Sequence, residues 1–226
     1  VIQKVMCIDE FQQSSDFEDS KTFQKKLRSV WQLQQHVSYC LFGSKKHLMN
    51  ELFEKKNLPF YKFGDAIYLA KIETKYWIEY ICKRFENTGK HISPELAEEI
   101  CRLVDNHSSY VQQLSWLLWI RTINSATTEQ LSYALEDLLD QNNILFQSET
   151  ENLSAYQMNF LKAIVDGINT KFSSKDVISK YNLGTSANIV RLKNALLQKE
   201  LIETNGKEIV LADPVFGVWF KKEMLY

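Results

Sequence analysis

Two hydrophobic rhythms alternate along the chain. Residues 1–8, VIQKVMCI, form a β-branched-rich run closed by Asp9 and Glu10, which predicts a buried parallel strand delivering charge at its C-terminal edge. Phe23, Leu27, Val30 and Trp31 then recur at helical spacing. A second strand is expected over Val37 to Phe42, stopping at Gly43-Ser44, followed by a short helix around Leu48 to Phe53 and a third strand over Ala66 to Leu69. That alternation predicts an α/β sheet at the start of the chain.

From Thr74 the period is helical. Trp77, Ile78, Ile81, Cys82 and Phe85 share one face, with Gly89 at a C-cap position. Ser93 and Pro94 suit an N-cap and a first helical position, opening a helix that buries Leu96, Ile100, Leu103 and Val104. Stretches Ser109 to Ile123 and Thr127 to Gln141, the latter with Thr127 and Gln130 at capping-box spacing, complete a four-helix subdomain. Residues 143–152 turn polar after Phe146 and are expected to be a domain boundary.

The remainder has a compact order: helices Ser154 to Ile168, Ser174 to Tyr181 and Thr185 to Glu200, then a hairpin of Leu201 to Thr204 and Glu208 to Leu211 joined through Asn205-Gly206. Three helices and a two-stranded wing predict a winged helix-turn-helix. A last amphipathic segment, with Val215, Phe216, Trp219 and Phe220, is expected to pack back on it.

Composition supports a helical, globular chain. Of 226 residues 45% are apolar, and 7 Gly with 3 Pro are about a third of the ordinary share, which disfavours a turn-rich β sandwich. Lys and Arg total 27 against 28 Asp and Glu, so the chain as a whole is not a polyanion-binding surface. The balance shifts along it: residues 1–151 carry 17 basic and 21 acidic side chains, residues 152–226 carry 10 and 7. Four scattered cysteines without C-x-x-C fit reduced thiols. No run is long enough for a membrane span and no signal peptide is evident, so a cytoplasmic protein is expected.

The strongest chemical signal is VMCIDEFQ, residues 5–12, an apolar strand followed by adjacent carboxylates as in a Walker B element. In nucleotide hydrolysis one acid holds magnesium through water and the next orients the attacking water, so both belong at a rigid strand's end. A strand that merely ends in two solvated acids makes the same pattern.

CIDEFQ at 7–12, YCLFGS at 39–44, PFYKFGDAIYL at 59–69, HSSYVQQLSWLLW at 107–119 and YNLGTSANIVRLKNALLQKELI at 181–202 together resemble STAND-type P-loop ATPases of the AAA+ group, as in archaeal and Bacteroides-like ATPases. The resemblance implies a mainly α protein with a partial α/β P-loop sheet: ATPase core at 1–73, helical lid at 74–146 and winged-helix domain at 152–226. It also implies Asp9 as the magnesium ligand through water, Glu10 as the catalytic carboxylate and Ser44 as the sensor near the γ-phosphate; Ser44 equally suits a helix cap. Where relatives carry an arginine in the segment matching Tyr61 to Asp65, this chain has only Lys62, which does not replace a guanidinium fork.

One motif is missing, because no G-x-x-x-x-G-K-[ST] loop occurs to cradle phosphates. The chain, which opens on Val1, is therefore expected to be a C-terminal fragment of a switch ATPase whose parent binds magnesium and ATP, while the fragment binds neither. A first strand absent between the sensor strand and Ala66 to Leu69 would leave apolar edges, so dimerisation, an altered sheet or a disordered N-terminal region is expected. Partners are then a protein or another domain of the same chain.

The alternative is a winged-helix transcriptional DNA-binding module in which Asn188, Arg191, Lys193 and the wing-tip Lys207 meet DNA. His36, His47, His91 and His107 have no metal-ligand spacing, and Trp116 with Trp119, beside Leu117 and Leu118, reads as core or interdomain packing. Lys45-Lys46 and Lys55-Lys56 read as solvated faces.

Overall fold

The β-branched run does form a strand, β1 (Lys4–Ile8), paired in parallel with β2 (Val37–Leu41) so that Lys4 faces Val37 and Ile8 faces Leu41. This computed structural model describes residues 4–224, without the side chains of residues 46 and 47; residues 1–3 of the expected strand and the His47 side chain lie outside the described residues. Parallel strands need a long crossover. Here it is a 3-10 turn (Phe11–Ser15) and α1 (Ser20–Trp31), and β2 is followed by α2 (Lys46–Glu54).

Contacts divide the chain into two units, residues 1–69 and 70–226. In the first, Phe11, Trp31, Leu52 and Phe60 form a small aromatic core in which Trp31 stacks on Tyr39 at 4.3 Å. Two expectations fail in this unit. Residues 65–73 contain no strand, and Leu69 is 93% exposed. Extended backbone becomes a strand only by pairing, and 66–69 pair with neither β1 nor β2; the Tyr68 hydroxyl instead lies 3.0 Å from Asn50 Oδ1. β1, expected to be buried, is exposed over Lys4 to Cys7, with Val5 68% accessible, because the small core covers this two-stranded pair only at Ile8, Tyr39 and Leu41.

The second unit begins with α3 (Thr74–Glu86), α4 (Pro94–Leu103), α5 (Ser108–Arg121) and α6 (Thr128–Glu151). Gly89 ends α3 in the left-handed region at φ 73°, letting Lys90 N–H reach Phe85 O at 3.1 Å. Ser93 Oγ accepts from Leu96 N–H at the head of α4, and Thr127 with Gln130 closes a capping box on α6. The segment expected to be a linker, 143–152, is instead helix as far as Glu151. With no Gly or Pro to break it, Gln147, Ser148 and Glu151 are the wet face of α6, while Thr150 is buried and Phe146 is buried 5.4 Å from Phe216 and 5.6 Å from Trp219.

α7 (Ala155–Val165), α8 (Lys175–Tyr181), α9 (Ser186–Gln198), β3 (Ile202–Asn205), β4 (Glu208–Leu211) and α10 (Pro214–Met224) follow in the predicted order. Asn205 pairs with Glu208, so the hairpin loop is Gly206-Lys207, one position later than expected, with Gly206 at φ 62°. One continuous core runs from Trp77 to Phe220. Asp213 ties it together: Oδ1 accepts from Val215 and Phe216 N–H to cap α10, and Oδ2 accepts from Tyr110 of α5 at 2.5 Å. Among the described residues no helix is long and apolar enough to cross a membrane.

Candidate functional site

The parallel register carries Ser44 to Glu10. The ladder runs past the strand ends, Phe42 N–H donating to Ile8 O and Phe11 N–H to Phe42 O, both at 3.0 Å, so the residues after β1 and β2 leave the sheet side by side. Ser44 Oγ lies 2.9 Å from Glu10 Oε1 and 3.2 Å from Oε2, and Ser44 N–H donates to Oε1 at 3.3 Å. Gln12 Nε2 donates to Oε2. The Ser44 hydroxyl above all, against a smaller opposing effect of desolvation and with help from Gln12, the Ser44 amide and the Lys45 charge, holds the Glu10 carboxyl below its usual range.

Glu10 itself is left-handed, at φ 48° and ψ 42°. A non-glycine residue in that region is strained, and such strain persists where surrounding contacts enforce it. Asp9, exposed beside it, accepts the Glu10 N–H on Oδ1 at 2.8 Å.

Two further residues, neither with a role evident from the sequence, shape the site. Gln12 is only 2% exposed, and its Oε1 is buried without a partner. Gly43 packs directly on it, since a Cβ at Gly43 would stand 1.9 Å from Gln12 Oε1. Their signal was present in CIDEFQ and in the glycine before Ser44, but only the fold brings them together. Lys62 stands apart, its ammonium 5.6 Å from the Tyr61 ring.

The winged-helix candidates do not share one surface. Asn188 donates from Nδ2 to Leu183 O at 3.0 Å, so its amide braces the turn before α9. Arg191 is exposed, yet Lys193, two positions on, projects from the other side of α9 and is half-buried, because residues two apart on a helix do not face each other. The outward face of α9 is Ala187, Val190, Arg191, Asn194 and Gln198, with Val190 62% exposed and one cation present. Lys207 is exposed at the wing tip.

Among the described residues no His, Cys, Asp or Glu cluster could hold a metal alone, and all four cysteines are free thiols. His107 packs 4.8 Å from Tyr110, with Nδ1 buried and unpartnered.

Comparison defines first a class of architecture: residues 144–222 match the family described as a probable winged helix domain. Among solved structures, the Walker-type ATPase of Pyrococcus abyssi matches 97% of this chain at 18% identity with a TM-score of 0.72, and the two share a fold. The chain spans 63% of that protein's length. The Thermotoga maritima RuvB Holliday junction branch migration motor (14% identity, TM-score 0.48, 98% of this chain and 70% of that one) is more distant. So is the Aeropyrum pernix Orc1 protein in complex with DNA (11%, 0.46, 97% and 64%). No curated protein matches the sequence.

Proposed function

We propose that these residues are the C-terminal portion of a STAND-type switch ATPase in which Asp9 holds magnesium through water, Glu10 orients and polarises the attacking water, and Ser44 is the sensor. The observation that carries this reading is the meeting of Ser44 with the Glu10 carboxylate across two parallel strands, at 2.9 Å. Adjacent acids on a solvated strand end would need no hydroxyl from the neighbouring strand.

The donor set suits the group. Carboxylate and hydroxyl oxygens are hard ligands, and magnesium commonly takes one or two carboxylates and completes its shell with water and phosphate oxygens, so the lack of a three-ligand cluster is compatible with it. When bound, the magnesium nucleotide supplies the phosphoryl group and the charge neutralisation around it. This chain's own contribution is the proton chemistry and the positioning. A lowered Glu10 pKa keeps that carboxylate ionised and able to accept a hydrogen bond from water, while Ser44 and Gln12 fix its direction.

The phosphate cradle is absent from the 226 residues, and on this reading they bind neither ATP nor magnesium by themselves. A parallel pair in which β1 is exposed from Lys4 to Cys7 also argues for a larger sheet. The core at 1–73 and the lid at 74–146 with the winged helix at 152–226, which share one hydrophobic core, then act as a two-state device in the cytoplasm, nucleotide closing the lid and turnover moving lid and winged helix together against a partner protein or domain. The test is Glu10→Gln in the intact gene product: turnover should fall at least a hundredfold with nucleotide still bound, and unchanged turnover rejects the assignment.

A second reading, a DNA-binding regulator, has the winged-helix match and the exposed Arg191 and Lys207 in its favour. The nearly neutral outward face of α9 ranks it second. A mobility shift that weakens steeply with salt and is lost in Arg191→Ala would raise it to first.

A further inference from the structure

α5 is apolar on almost every side, yet one face is left open. Leu114, Leu117 and Leu118 are buried, while Trp116 is 57% exposed. Trp116 and Trp119 of α5 and Tyr80 and Arg84 of α3 border a groove of about 530 Å³, within the roughly 300–1,000 Å³ of built sites.

One wall is fixed in advance. Trp119 Nε1 donates to Thr88 Oγ1 at 2.9 Å, and Lys90 lies 3.9 Å from the Trp119 ring while donating to its carbonyl at 2.6 Å. Arg84 is the only charged residue lining the groove; it leans over the Tyr80 ring at 5.2 Å and has no carboxylate partner among the described residues. Glu79 and Glu86 occur on the same helix but project away from it, each about 140–160° around the axis from Arg84. Tryptophan, tyrosine and arginine gathered in one concavity make the composition of an interaction hot spot, and a preset wall lowers the entropy lost on binding.

We propose that this groove docks an amphipathic helix from a partner protein. An apolar side chain of that helix enters between Tyr80 and Trp116, and an aspartate or glutamate within one turn of it pairs with Arg84. Two packed helices offer a third a natural seat, and the uncompensated guanidinium sets the sign of the partner's charge. This surface shares no residue with the Asp9–Glu10–Ser44 site and stands without the ATPase reading.

The test sorts a random 18-residue peptide display library on the 226-residue chain and measures the most enriched peptide by fluorescence anisotropy. Enriched sequences should place Asp or Glu within four residues of Leu, Phe or Trp. Trp116→Ala and Arg84→Glu should each weaken binding at least tenfold, and Arg84→Glu should recover affinity when the peptide's acid is changed to lysine. Both side chains are exposed, so far-ultraviolet circular dichroism should not change; should Trp116→Ala unfold, Arg84→Glu carries the test. Absence of enrichment, enriched peptides without an acid, binding indifferent to both substitutions, or self-association of the chain abolished by Trp116→Ala would each overturn the proposal.

Discussion

Gly43→Ala is the sharpest probe of the site, because a single methyl group reaches the residue that holds Glu10. The new Cβ would stand 1.9 Å from Gln12 Oε1, 2.9 Å from its Cδ and 3.2 Å from Met49 Sδ. The carboxamide must retreat by roughly 1.5 Å to regain ordinary contact, and it is almost wholly buried, so its hydrogen bond to Glu10 is lost. Overpacking of this kind costs about 1–3 kcal/mol. Removing a glycine from the unfolded chain returns about 0.4–1 kcal/mol, leaving a net loss of up to about 2.5 kcal/mol. Gly64→Ala is the control: nothing lies within 4 Å of its Cβ, and like Gly43 it is not left-handed, so the entropic gain cancels between the two variants. Their difference isolates the clash. Trp31, the only tryptophan among residues 1–69, sits in the small core 5.9 Å from Phe11, and its indole N–H resonance reports this unit's melting. For a unit of this size the clash of about 1–3 kcal/mol should place the Gly43→Ala transition below that of Gly64→Ala by on the order of 5–20 °C. Equal transitions would refute the packing of Gln12 on Gly43.

Three further outcomes follow from the same structure. Ser44→Ala should raise the Glu10 pKa toward the ordinary carboxylate value in a carbon-detected titration, since the Ser44 hydroxyl is the main reason it is low; the associated stability is present above the unfolded pKa and lost as pH falls through the lowered folded one. The Glu149 pKa is raised, first by burial and then by the charge of Asp213, so its ionisation destabilises the fold, the penalty setting in as pH rises through the unfolded pKa and complete above the raised folded one; Glu149→Gln should increase the melting temperature at pH 7 and make no difference below about pH 4. The outer edges of β1 and β2 carry no strand among the described residues, so concentrated chain should dimerise in analytical ultracentrifugation and Val5→Lys should weaken the dimer; a monomer at every concentration would contradict this.

The second unit was readable nearly element by element because its information is local. Ser93-Pro94, the Thr127–Gln130 box and the Asn205-Gly206 pair each act within four residues, and they mark helix starts and the wing with at most a one-position shift. Errors appear where the deciding partner is distant. AIYL at 66–69 has strand composition, but whether it becomes a strand depends on an edge elsewhere. The polar run after Phe146 resembles a linker until Phe216 and Trp219, some seventy residues on, claim that phenylalanine for the core. The candidate site divides in the same way: Asp9 and Glu10 announce themselves as neighbours, whereas Gly43 acquires its meaning only when the β1–β2 register sets it against Gln12.

The α5 groove was hidden for a different physical reason. A helix with one apolar stripe declares which side it buries, but SYVQQLSWLLWIR spreads its apolar residues around the axis, and a flat pattern supports burial on every side equally well. A four-helix arrangement cannot cover every side of a peripheral member. α3 packs beside α5 and α6 lies along it, and the remaining sector of α5, with Trp116 and the one-turn-on Ile120, stays open. Had that sector only to face water, lysine or glutamate at position 116 would keep helix propensity and avoid exposing a large ring. An indole there, beside a cation with no counter-charge, is what an apolar and acidic visitor would require.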